Sequence, residues 1–66
     1  MRKFTETQVS GQVQPGTIIR PFGGERFDVN EVRTTTYGEV IFTDFYGETL
    51  RMDDSQQVEI LGHWNP

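Results

Sequence analysis

Residues 35–49, TTYGEVIFTDFYGET, hold two Tyr-Gly pairs, Tyr37-Gly38 and Tyr46-Gly47, nine residues apart. Glycine accepts the left-handed backbone that a tight turn needs, and the flanking residues are β-branched or aromatic, so each pair reads as a hairpin turn. The turns divide the middle of the chain into three β-rich runs, Phe27 to Thr35, Glu39 to Phe45 and Glu48 to Asp53, which predicts an antiparallel meander. In the central run Val40 and Phe42 share one face while Ile41 and Phe45 take the other, so both faces ask for cover.

Toward the N-terminus, Pro15-Gly16 forms a turn from which a strand begins at Thr17; Thr17, Ile18, Ile19 and Arg20 favour extended backbone until Pro21 ends the ladder. Gly23-Gly24 marks a loop apex. From Arg26 the alternation places Phe27 and Val29 on one face, and Val32 then breaks parity, which calls for a bulge or a bend near Asn30-Glu31. The first residues are polar and read as a weak strand from Phe4 to Val9 or as an arm. Toward the C-terminus, Leu50 and Met52 alternate with Thr49 and Arg51, a helical turn fits Asp54 to Gln57, Val58 and Ile60 form a last strand, and residues 62–66 a tail.

At 66 residues, with no cysteine and one histidine, the chain predicts a single domain whose stability comes from packing, without disulfides, a structural metal or a cofactor. Arg2 and Lys3 are followed by polar residues rather than an apolar run, so no signal peptide, no membrane span and a cytoplasmic location are expected. The net charge of −4 is uneven: residues 1–33 carry five basic and four acidic side chains, residues 34–66 only Arg51 against six acids. An acidic surface repels phosphate backbones, which makes nucleic acid an unfavoured partner.

Five short strands, a long first connection, two tight hairpins and a helical turn before the last strand resemble an SH3-like small barrel. The resemblance rests on Pro15-Gly16-Thr17-Ile18-Ile19, the Pro21 to Glu25 loop, the two Tyr-Gly turns and Val58-Glu59-Ile60-Leu61, and covers residues 13–61, with residues 1–12 as an arm or extra strand. It implies an all-β five-stranded barrel with Ile18, Phe27, Val29, Val32, Val40, Phe42, Leu50, Met52, Val58 and Ile60 inside. That core is thin, and an oligomer would reinforce it.

An apolar surplus remains: Ile19, Ile41, Phe45, Leu61 and Trp64, with Tyr37 and Tyr46 at the turns. One reading has Phe4 and Val9 of the arm and Trp64 of the tail fold back over the sheet. The other is a protein interface, because exposed aromatics rimmed by charge have the composition of binding hot spots. The candidate partner-binding residues are accordingly Tyr37, Ile41, Phe45, Tyr46 and Trp64, with Asp44, Glu48, Asp53 and Asp54. Phe22 and Tyr46 beside Asp44 and Glu48 also have the makings of a cation-binding cage similar to that of Tudor-type barrels. Asp53-Asp54 reads as a turn or helix cap rather than a catalytic pair, and no nucleophile has an identifiable base, so no enzyme is expected.

The leading expectation is a small acidic protein-binding or regulatory adaptor module, of a size that suits a phage or bacterial accessory protein acting on a larger complex, with nucleic-acid mimicry as its sharper version. A nucleic-acid-binding barrel using Arg20, Arg26 and Arg33 and a structural homo-oligomer, such as a homodimer or virion component, are the alternatives.

Overall fold

The computed structural model describes residues 6–64. Among these described residues seven strands follow one another: β1 (Glu6–Val9), β2 (Thr17–Pro21), β3 (Phe27–Asp28), β4 (Glu31–Thr34), β5 (Glu39–Thr43), β6 (Thr49–Asp53) and β7 (Gln57–His63), with a one-turn 3-10 helix at Ser10–Gln12. They form two antiparallel sheets, one of four strands in the order β1-β7-β2-β3 and one of three in the order β4-β5-β6. Phe4, Asn65 and Pro66, expected in the arm and tail, lie outside the described residues. Among the described residues no helix is long and apolar enough to cross a membrane.

The all-β reading holds, but the expected five-stranded, closed SH3-like barrel gives way to two open sheets of four and three strands. Two local causes keep them open. The chain changes sheets at Val29-Asn30: Val29 exchanges backbone hydrogen bonds with the start of β2 (Gly16 N–H to Val29 O, 2.8 Å; Val29 N–H to Thr17 O, 2.9 Å), whereas the Asn30 N–H turns to Thr43 O on β5 at 2.8 Å. This is the bend that the parity break of Val32 demanded. At the far edge, β1 and β6 do not pair. The backbone passes into the 3-10 turn, whose Ser10 and Gly11 N–H groups donate to Gln56 O (2.7 Å) and Asp54 O (2.8 Å), and the buried Ser10 hydroxyl donates to Asp53 O at 2.6 Å. A tight turn takes the place of a ladder.

Those bonds also explain why the helical turn expected at Asp54 to Gln57 is absent. Asp54 O and Gln56 O are taken by the 3-10 turn, and Asp53 accepts the Ser55 N–H and hydroxyl through Oδ1, at 3.1 and 2.9 Å. The result is an aspartate-anchored turn.

Both Tyr-Gly turns form as expected, and they are built alike. In the first, Thr35 Oγ1 accepts the Tyr37 and Glu39 N–H groups; in the second, Asp44 Oδ1 accepts the Tyr46 and Glu48 N–H groups. Gly38 and Gly47 sit at φ of 81° and 86°, where a side chain would be strained. One pattern, an oxygen-bearing residue followed two and three places on by Tyr-Gly and then Glu, thus closes both ends of β5.

The core lies between the sheets and consists of Val13, Ile19, Val29, Val40, Phe42, Met52, Val58 and Ile60, with Phe27, Val32 and Leu50 half-buried against it. Ile18 does not belong to it; Ile19 does. Ile18 pairs with Gly62 and Ile19 with Ile60, so Leu61 is an extra residue in β7, while along β2 the ordinary alternation turns Thr17 and Ile19 inward and Ile18 out, with Ile19 opposite the buried Ile60. Phe42→Ala is expected to cost about 3–5 kcal/mol and Ile19→Ala about 2–5 kcal/mol in denaturant unfolding, with a smaller loss for Ile18→Ala. Equal losses at positions 18 and 19 would contradict the inward turn of Ile19.

Candidate functional site

Extended backbone separates the two Tyr-Gly turns to opposite ends of β5, roughly 17 Å apart for five residues of strand. The candidate partner-binding residues divide accordingly. Tyr37, with 90% of its surface exposed, lies at one end, where Asp54 donates its N–H to Gly38 O at 2.9 Å and Asp53 anchors the neighbouring turn. Tyr46, 92% exposed, lies at the other with Asp44, Phe45 and Glu48. Ile41 joins neither group: it sits mid-strand between Arg33 and Arg51, half-buried, on the outer face of the three-stranded sheet. The nine residues therefore form two clusters and an isolated isoleucine.

At the Tyr46 end the chain returns on itself. The Trp64 N–H donates to Gly16 O at 2.7 Å, and its ring meets Phe45 edge to face, with centroids 5.7 Å apart and planes at 76°. Tail packing and exposure coexist here, since Phe45 keeps 54% and Trp64 48% of its surface in solvent. Val9, the other expected cover, is half-buried in β1 opposite Gln57.

Beside these rings the β2–β3 loop faces the β5–β6 hairpin across two adjoining clefts. One, of about 210 Å³, is lined by Arg26, Phe27, Asp28, Asp44, Phe45 and Tyr46. The other, of about 380 Å³, runs from Pro21 and Glu25 over Phe27 and Leu50 to Glu48. Phe22, assigned to a cation cage with Tyr46, lines neither; Phe27 takes its place because Phe27 lies opposite Ile19 and turns its ring inward, at the open end of the core. Phe27 and Leu50 were legible in sequence only as core residues, and the half of each that stays accessible depends on where the sheets part.

The arginines are dispersed. Arg20 donates Nε–H to Glu59 Oε1 at 2.8 Å on the outer face of the four-stranded sheet, Arg26 grips Asp28 through two nitrogens at 2.8 and 3.3 Å, and Arg33 is on the other sheet. The hydrogen bond to Asp28, and then its charge, hold the Arg26 pKa above its ordinary value, so Arg26 stays cationic. Among the described residues no group of three or more His, Cys, Asp or Glu is placed to hold a metal ion.

No family model matches the chain, and neither curated proteins nor solved structures give a significant match.

At the Tyr37 end, the Ser55 N–H and then its hydroxyl depress the Asp53 pKa. A depressed carboxylate contributes stability that is present above its unfolded-state pKa and is lost as pH falls through the folded one. The Asp53 carboxyl in a two-dimensional NMR titration should have its midpoint below the ordinary aspartate value and move upward in Ser55→Ala. An unchanged midpoint in that variant, which keeps the backbone N–H, would remove the Ser55 hydroxyl as a cause.

Proposed function

We propose that this chain is a non-catalytic protein-docking module, a small adaptor whose contact surface is the end of the molecule bearing Phe45, Tyr46 and Trp64. The observation that carries the reading is the exposed pairing of Phe45 with Trp64 next to a fully presented Tyr46, on the rim of clefts floored by Phe27. Large rings held in fixed positions lose little conformational freedom when a partner covers them, which is why they dominate binding energy at protein interfaces. Asp44 and Glu48 on the same hairpin give this end a negative rim and favour a basic partner. Tyr37, Asp53 and Asp54 fall outside the proposed surface because the strand length of β5 separates them from it.

Support for a nucleic-acid ligand is weaker. Arg20 and Arg26 are each engaged by a carboxylate, and Arg33 lies on a different sheet, so the three make no common phosphate-binding face.

The two exposed tyrosines provide a matched test. Tyr46→Ala and Tyr37→Ala should each change unfolding stability by no more than about 0.5 kcal/mol, as surface substitutions do. In affinity capture from the source cells with mass-spectrometric identification, wild type and Tyr37→Ala should retain the same protein, and Tyr46→Ala should lose it. Retention by both variants would move the docking surface elsewhere.

A further inference from the structure

The larger cleft has the shape and chemistry of a receptor for one kind of side chain. Its apolar part is Phe27 and Leu50, each half-buried against the core and lining the cleft with surface it keeps accessible. Pro21 and Gly24 wall one side. The rim carries Glu25 on the β2–β3 loop and Asp44 and Glu48 on the β5–β6 hairpin. Arg26, the one cation there among the described residues, is held by Asp28. Glu25, Asp44 and Glu48 have no ion-pair partner among the described residues. Asp44 gives Oδ1 to the Tyr46 and Glu48 N–H groups at 2.8 and 2.9 Å, which fixes the carboxylate in place.

An apolar trough ending in carboxylates complements a long aliphatic stem ending in a cation. We infer that the cleft between the β2–β3 loop and the β5–β6 hairpin accepts an arginine or lysine side chain from an extended basic segment of a partner protein, its methylenes on Phe27 and Leu50 and its charge among Glu25, Asp44 and Glu48. The inference rests on the docking reading above and names the chemistry of the partner. Anionic ligands are disfavoured by the same rim. Tyr46 and Phe45 border the adjoining cleft, so a segment seated here runs on toward the aromatic cluster.

The probe is the peptide acetyl-Gly-Arg-Gly-Arg-Gly-amide, titrated into the 66-residue chain labelled with nitrogen-15. Amide shifts are expected to saturate and to concentrate at residues 24–28 and 44–50. Glu25→Gln combined with Glu48→Gln should weaken binding about three- to tenfold, in line with the loss of two exposed ion pairs, and added salt should weaken it in wild type. The control combination Glu6→Gln with Asp54→Asn removes the same charge from the β1 edge and from the Tyr37 end and should leave the affinity as it was. Equal weakening by both combinations would reduce the effect to general attraction and overturn the inference, as would shifts scattered over both sheets. Concentration-dependent shifts at 24–28 and 44–50 without peptide would seat a second copy there instead, also against it. If the peptide fails while Tyr46→Ala still abolishes capture, the basic occupant falls and the docking surface stands; if capture is also indifferent to Tyr46, both fall.

Discussion

Val29 and Asn30 hold the molecule together through three backbone hydrogen bonds that point in two directions. Val29 is fully buried and gives both of its peptide groups to the start of β2, while the next N–H belongs to β5. A buried peptide group left without a partner costs as much as a lost hydrogen bond, so the chain cannot slide at this point without exposing or orphaning several. The corner thereby sets the register of both sheets, directs Phe27 and Val32 toward one core from two sheets, and leaves Arg26 to Asp28 beside the tip of the β5–β6 hairpin.

From that placement the two ends of the molecule acquire different characters. At the Tyr37 end, backbone groups of the 3-10 turn, the β6–β7 turn and the first hairpin satisfy one another, which ties the acidic pair Asp53-Asp54 into structure. At the Tyr46 end the sheets part over Phe27 and Leu50, and the apolar surface there is bordered by rings and unpaired carboxylates. Exposed apolar area carries a solubility cost in a small domain; Tyr37 and Leu61 are exposed singly elsewhere, and the gathering of Phe45, Tyr46 and Trp64 at this end is the physical reason for proposing function there. The outer faces are ordinary solvated sheet surfaces, crossed by Arg20–Glu59 on one and by Arg33, Ile41 and Arg51 on the other.

Strand positions were legible because their signals are local: Tyr-Gly at φ-positive turns, Pro15-Gly16 before β2 and the parity break before Val32 all act within a few residues. Errors arose where distant segments decide. Which of Ile18 and Ile19 faces inward depends on pairing with the buried Ile60 of β7, far along the chain, the loss of a helix at Asp54 to Gln57 depends on donors from Ser10 and Gly11, and whether a sheet closes depends on the pairing of its first and last strands. The grouping of the candidate residues was legible in part for the same reason. Asp44, Phe45, Tyr46 and Glu48 are neighbours in sequence and stay together; Trp64 joins them only through Gly16 and Phe45; Tyr37, Asp53 and Asp54 share composition with them but not location.

The most direct test is whether the sheets are open. In β6, the bonds Asp44 N–H to Glu48 O and Asp54 N–H to Gly38 O fix the alternation, so that Leu50 and Met52 donate to β5 while the Thr49 and Arg51 N–H groups point off the free edge. Residue-resolved amide hydrogen exchange by NMR should show Leu50 and Met52 exchanging slowly and Thr49 and Arg51 rapidly. Protection of Arg51 equal to that of Met52 would mean that another strand covers this edge, and the description of two open sheets would be wrong.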